Sequence, residues 1–291
     1  MSYVIITDST TDLTVDLINK LELNVMPLTF TLDNKEYFNY PDQRELTNKE
    51  FYDALRNGSM ATTSQLNIVD IVKYYEEFLA QGLDILSVVF SSGLSGSFNA
   101  VRLAKDELLE KYPERKIVII DSLCASMGEG LFAYYAAKNR LDGMSIEENE
   151  RFLLDNVYHL AHWFTVSDLD FLRRGGRLSN ASAFVAKVLK INPVLNVDNQ
   201  GHLVGRIKKI GRKNAINALI DKFDKTALKD KKQVVFISHG DCLNDALYVR
   251  DCLMKKYSDC ISQIEIGEIG PVIGAHSGPG TLALFFLATE R

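Results

Sequence analysis

Ile85-Leu86-Ser87-Val88-Val89-Phe90, then Ser91-Ser92-Gly93-Leu94-Ser95-Gly96-Ser97, then Phe98 to Tyr112, is the stretch whose reading decides the fold. The first run is apolar and rich in β-formers, the second is a turn of small residues, and the third carries Val101, Ala104 and Leu108 at helical spacing. Strand, tight loop and helix in that order make one half of a parallel βαβ unit. A helix that starts this way leaves backbone N–H groups unpaired and carries a partial positive charge, and the hydroxyls of Ser91, Ser92, Ser95 and Ser97 crowd around it. One serine at such a place caps the helix. Four serines and two glycines in seven positions suggest a receptor for a small anion.

The loop has no lysine before the helix, so it is not a nucleotide-binding P-loop, and it lacks the glycine spacing of a dinucleotide fold. It also misses a nucleophile elbow by one residue, because Ser97 stands where the strained turn wants glycine.

Outward from this stretch, 291 residues suggest two domains, with a boundary expected between residues 162 and 163. The net charge of −5 argues against a nucleic-acid partner. Cys124, Cys242, Cys252 and Cys260 form no C-x-x-C pair and read as reduced packing residues of a cytoplasmic protein; no metal or cofactor motif is present. The start, Met1 to Asp8, is too short and polar for a signal peptide, and no apolar run is long enough to span a bilayer.

The same grammar recurs along the chain. A strand from Tyr3 ends at Asp8-Ser9-Thr10-Thr11-Asp12 before a helix from Val15, and Asp33-Asn34 is a hairpin turn between two short strands. Capping boxes at Thr47 to Glu50 and Ser145 to Glu148 open two helices. Thr62-Thr63-Ser64-Gln65 is a further hydroxyl-rich loop ahead of a helix, and the strand Ile117 to Ile120 ends at Asp121. Strands alternating with helices imply a doubly wound parallel sheet whose ligands gather at the carboxyl ends of the strands. From about Trp163 the pattern changes to a strand, the basic loop Leu172 to Arg177, a helix from Ser179, and a hairpin turning at Asp198 to Gly201. Two further strand–helix alternations follow. Ile269 to Gly280 is a run of small residues that holds His276, readable as a structural turn or as backbone that approaches a ligand and presents the histidine.

Asp8 to Leu13, Thr63-Ser64-Gln65, Ser91 to Gly96, Asp121-Ser122, Arg174-Gly175-Gly176-Arg177 and Ile269 to Gly280 resemble, in order and spacing over nearly the whole chain, the motifs of the DegV family of bacterial fatty-acid-binding proteins. The resemblance implies two α/β domains with a long-chain fatty acid in a tunnel between them, and a carboxylate presented to a partner kinase for acyl-phosphate formation. On that resemblance Thr63, Ser95 and His276 hold the carboxylate without a salt bridge, with Ser64, Ser92 and Gly96 nearby. Arg174 and Arg177 form a docking face for the kinase or a transient contact with a membrane surface. The protein is then a lipid carrier and not itself an enzyme. Leu66-Asn67-Ile68 replaces the Pro-Ser-Pro that often follows the family's Thr-Ser-Gln, which removes two rigid residues but leaves Asn67 able to cap the next helix.

Physical chemistry makes a carrier sensible. A buried carboxylate needs its oxygens bonded, and burial of ~14 methylenes at about 0.8 kcal/mol each is comparable with the ~4 to 15 kcal/mol cost of association. Two other readings remain open on the residues alone: a serine hydrolase using Ser95, His276 and an acid such as Asp8 or Asp121, or a binder of a small phosphorylated metabolite.

Overall fold

The computed structural model describes residues 2–178 and 191–291, and the helix expected from Ser179 lies outside them. The first part of the chain runs β1 (Tyr3–Asp8), α1 (Val15–Lys20), β2 (Asn24–Met26), β3 (Thr29–Leu32), β4 (Lys35–Phe38), α2 (Asn48–Arg56), β5 (Ala61–Thr63), α3 (Ile68–Leu79), β6 (Asp84–Val89), α4 (Ser97–Lys111) and β7 (Ile117–Asp121). It continues with α5 (Met127–Leu141), α6 (Ile146–Asn156), β8 (Leu160–Thr165), α7 (Asp170–Arg174), β9 (Ile191–Val197), β10 (Leu203–Ile210), α8 (Arg212–Thr226), β11 (Gln233–His239), α9 (Leu243–Tyr257), β12 (Ile261–Glu268), α10 (Pro271–Ser277) and β13 (Leu282–Leu287).

β2, β1, β6 and β7 form a parallel sheet in that order. Ile5, Leu86, Val88 and Val118 face a core shared with α5, whereas Ile6, Ile85, Val89 and Ile117 face α3 and α4. Covered on both sides, β6 is apolar on both faces, with Ser87 the polar break and bonded to the Tyr75 hydroxyl, and the sheet is doubly wound as expected. The hairpin of β3 and β4 turns on Asp33 and Asn34, both at positive φ (47° and 68°), and β5 joins it as a third strand.

The second sheet has the order β10-β9-β8-β13-β11-β12 and is antiparallel except between β11 and β12. Leu219 and Phe223 of α8 and Val249 and Leu253 of α9 cover one face. The other face puts Phe164, Phe236 and Phe285 into the core that α5 shares with the first sheet. The expected boundary between residues 162 and 163 therefore falls within β8, which pairs with β13 from Leu160 onward.

Several elements differ from the sequence reading: β2 has no counterpart in it, β5 and α7 stand where loops are expected, and α5 and α10 bear most on the interior. α5 has no counterpart there: no side chain caps its start, and Met127 to Ala133 are buried all round, so no one-sided periodicity marks it. Gly128 lets it press against the second sheet, since a Cβ there would lie 2.8 Å from the Phe285 ring. The small-residue run after Ile269 is likewise a helix, α10, opened by Pro271 in its first turn and followed by Gly278 at φ 76°.

Candidate functional site

A cavity of about 1080 Å³, mouth included, lies at the carboxyl ends of the first sheet's strands and is closed by α10 and the inner face of the second sheet. Its lining is mostly apolar, with Leu28, Phe90, Leu94, Phe164, Val272 and Ile273 among the walls. Ser64, Gln65 and Gly96 are exposed and mark the mouth; Thr10, Ser126, His162 and Ser238 are buried and mark the interior.

At the mouth, Thr63 stands at the end of β5, in register with Phe30 of β3. His276 reaches it from the last turn of α10, with Nε2 2.7 Å from Thr63 Oγ1. α10 is held in place by the Tyr52 hydroxyl donating to Ile269 O (2.9 Å) and by Gly270 N–H donating to Asp12 Oδ1 (2.9 Å). Burial, with the Arg177 guanidinium nearby, pushes the His276 pKa down to about 4, so the ring is neutral near pH 7. Its Nδ1 is enclosed without a partner. An enclosed lone pair is less costly than an enclosed N–H, so the proton belongs on Nε2, donating to Thr63 Oγ1. Thr63 then keeps its own hydroxyl proton for a ligand.

Ser95 is arranged in the same way. Leu66 N–H donates to Ser97 Oγ (3.2 Å), and Ser97 Oγ lies 3.1 Å from Ser95 Oγ. If the Ser97 proton points to Ser95, the Ser95 proton is free. Ser95 Oγ also accepts from Ser97 N–H (3.2 Å), so it supports the start of α4 while lining the cavity. Asn67 caps α3 by accepting from Val69 N–H (2.9 Å), so the loop that lacks the two prolines still ends in an ordered helix start.

Ser64 and Gly96 line the cavity, but Ser92 does not. Ser92 is exposed, and its N–H donates to Asp121 Oδ1 (3.2 Å). Ser91 is turned away as well, donating to Gly201 O (2.9 Å). Gly93 fits under the same hairpin, where a Cβ would lie 2.6 Å from Gln200 O. Half of the serine-rich loop thus joins the two sheets, and only its second half faces a ligand. Arg174 is exposed and lies over the Phe171 ring at 4.8 Å. Arg177, expected beside it on an outward face, instead turns inward: it donates to Leu94 O (3.2 Å) and Gly175 O (2.5 Å) and lines the cavity. Positive charge therefore stands at the cavity wall, close enough to His276 to lower its pKa.

Of the interior groups, the sequence reading singles out Asp8, at the end of β1, but not Glu129, Ser126, His162 or Ser238. Thr10 Oγ1 lies between Asp8 Oδ1 and Glu129 Oε2, the latter at 2.8 Å, and Glu129 Oε1 accepts from Thr7 (3.2 Å). One hydroxyl proton cannot serve both acids, so one carboxyl is protonated. Burial pushes the Asp8 pKa up to about 6 and that of Glu129 well above the usual carboxylate range. Asp8 is legible in the sequence as an acid at a strand end, whereas Glu129 sits in the helix that periodicity does not reveal.

The arrangement offers two hydroxyl donors, a neutral histidine behind one of them and an apolar cavity. It does not offer a triad. His276 Nε2 engages Thr63 and not Ser95, and no acid orients its Nδ1. Asp8 is committed to Thr10, and Asp121 to the backbone N–H groups of Ser92 and Leu123. Among the described residues no helix is long and apolar enough to cross a membrane.

The family model described as an uncharacterised protein of the DegV family matches residues 2–289. A DegV domain-containing protein of Clostridium perfringens is 42% identical over 289 residues, covering 99% of this chain and 98% of its own. Among solved structures, a DegV lipid-binding protein of Thermotoga maritima has a TM-score of 0.87 at 29% identity, with 100% of both chains covered. DegV of Bacillus subtilis, described as a fatty-acid-binding protein, has a TM-score of 0.85 at 29% identity, covering 99% of this chain and 100% of its own.

Proposed function

The chain belongs to the DegV family, and from that premise we propose that it carries a long-chain fatty acid and presents the carboxylate to a partner kinase for conversion to an acyl-phosphate. The observation that carries this reading is an apolar cavity with free hydroxyl donors at one end: Thr63, backed by His276, and Ser95, backed by Ser97. Charge-assisted bonds of this kind contribute about 1.5 to 3 kcal/mol each, enough to orient a carboxylate whose affinity comes from its tail. Arg177 lines the same cavity and adds a favourable charge. The kinase acts on a carboxylate left at the mouth, where the lone pair of neutral His276, on the enclosed Nδ1, is shut away from the phosphoryl group and does not compete for it.

The test is denaturing extraction of the purified protein, followed by mass spectrometry of what it releases. A fatty acid near one equivalent is expected, with less retained by Thr63→Ala and Ser95→Ala at unchanged melting temperature. A phosphorylated metabolite in its place would favour the other binding reading.

A further inference from the structure

His162 is a polar residue with nothing to bind. It lies in β8 between Leu160 and Phe164 on the face turned to α5, its ring 4.6 Å from that of Phe285 and 5.6 Å from that of Phe164. It is 4% exposed and lines the cavity. Its Nδ1 is shut in protein without a partner, and among the described residues no hydrogen bond to the other ring nitrogen is found.

A neutral imidazole has one N–H and one lone pair, and an unpaired N–H is the costlier to bury. With Nδ1 enclosed, the proton is better placed on Nε2, the nitrogen that can face the lumen. A saturated alkyl chain gives that donor no acceptor. On the same inner face, Ser126 donates to Ser238 Oγ (2.9 Å), and Ser126 Oγ lies 2.6 Å from Asp12 Oδ2, a carboxyl that burial holds protonated and able to donate to it. Ser238 therefore accepts from Ser126 and keeps its own hydroxyl proton. The cavity interior thus carries two donors, His162 and Ser238, beside the hydroxyls of Thr10, Ser126 and Thr281, which are bonded within the protein.

We propose that this interior is a second polar subsite, built for an acyl chain that carries an oxygen, as a hydroxyl or carbonyl, along its length. The proposal rests on the carrier reading and narrows its ligand class from plain to oxygenated fatty acids. A hydroxyl or carbonyl oxygen suits both groups, since its two lone pairs can accept from each.

The probes are octadecanoic acid and hydroxyoctadecanoic acids bearing the hydroxyl at successive carbons, titrated against delipidated protein. One narrow range of hydroxyl positions should bind about three- to tenfold tighter than octadecanoic acid. Other positions should bind more weakly, because they bury a hydroxyl without a partner. His162→Phe should keep octadecanoic acid binding and lose the positional preference, and His162→Gln, which retains a donor, should keep part of it. If His162→Phe does not fold, the positional series on the unaltered protein decides alone. A series without a preferred position, or a preference intact in His162→Phe, overturns the proposal while leaving the carrier reading in place. If no acid of the set binds, both fall.

Discussion

The two ends of the cavity handle polar groups in opposite ways. At the mouth, two hydroxyls that line the lumen are backed by a neighbour, Thr63 by His276 and Ser95 by Ser97, so that each keeps a proton to donate, while Ser64 is exposed. In the interior, Thr10 and Ser126 are consumed by Asp8, Glu129 and Asp12, and His162 has no hydrogen-bond partner among the described residues. The difference shows that exposure to the lumen does not by itself make a ligand group. What matters is whether the surrounding hydrogen bonds leave a proton or a lone pair over.

The sharpest way to break the account of the mouth is Gly175→Ala. Gly175 has an ordinary backbone conformation, but a Cβ there would lie 2.3 Å from His276 Nδ1, with two further ring atoms within 3.3 Å. The ring must swing away or the backbone must shift, at about 1–3 kcal/mol for overpacking of this kind. Without Nε2 behind it, Thr63 loses its fixed orientation. Fatty-acid affinity should fall tenfold or more, as read by competition with a fluorescent acid. Unchanged affinity would mean that the Thr63–His276 bond does not organise the head group.

For the interior, Glu129→Gln is the informative change. The native pKa of Glu129 is raised by burial, so the folded state holds a proton that the unfolded state releases above its ordinary carboxylate value. Its contribution is therefore fully present below the unfolded pKa and lost as pH rises toward the folded one. A glutamine mimics the protonated acid, can still accept from Thr7, and does not titrate. Glu129→Gln should stabilise the protein at about pH 8 by an amount that shrinks toward about pH 5, in paired thermal melts. A pH-independent difference would show that another group holds the shared proton.

The contrast between the two ends also explains what could be read in the sequence. Thr63, Ser95 and His276 lie in or beside loops where hydroxyls and glycines depart from apolar periodicity, and such departures are visible in one dimension. His162 and Ser238 are single polar residues within buried strands, and Glu129 sits in a helix whose burial on all sides erases its period. The parallel sheet was legible because β6 and β7 end in clear turns. Nothing in the spacing of the serines could separate Ser91, which ties the hairpin at Gly201, from Ser95, because that depends on a partner 110 residues away.

The smallest effect on lipid binding is expected from Arg174→Glu, and there the smallness carries the argument. Arg174 and Arg177 flank the same glycine pair, yet one is exposed over Phe171 with Nη1 3.4 Å from Met60 Sδ, and the other is bound to Leu94 O inside the cavity. Arg174 borders a cleft on the outer side of His276 that also includes Met60, Thr63 and Gly175. Exposed charges of this kind contribute little to stability, and Arg173 already satisfies Asp170 at 3.0 Å. Arg174→Glu should thus leave melting temperature and fatty-acid affinity within about twofold of the unaltered protein. Acyl-phosphate formation with a cognate kinase should nonetheless fall, since a reversed charge beside the mouth alters the surface the kinase must approach. Arg177→Gln should do the reverse, weakening binding because it removes the cation that lines the cavity. Equal loss of binding in both variants would show that the mouth does not divide into a ligand side and a partner side, and full phosphotransfer in Arg174→Glu would return that arginine to a solvated face.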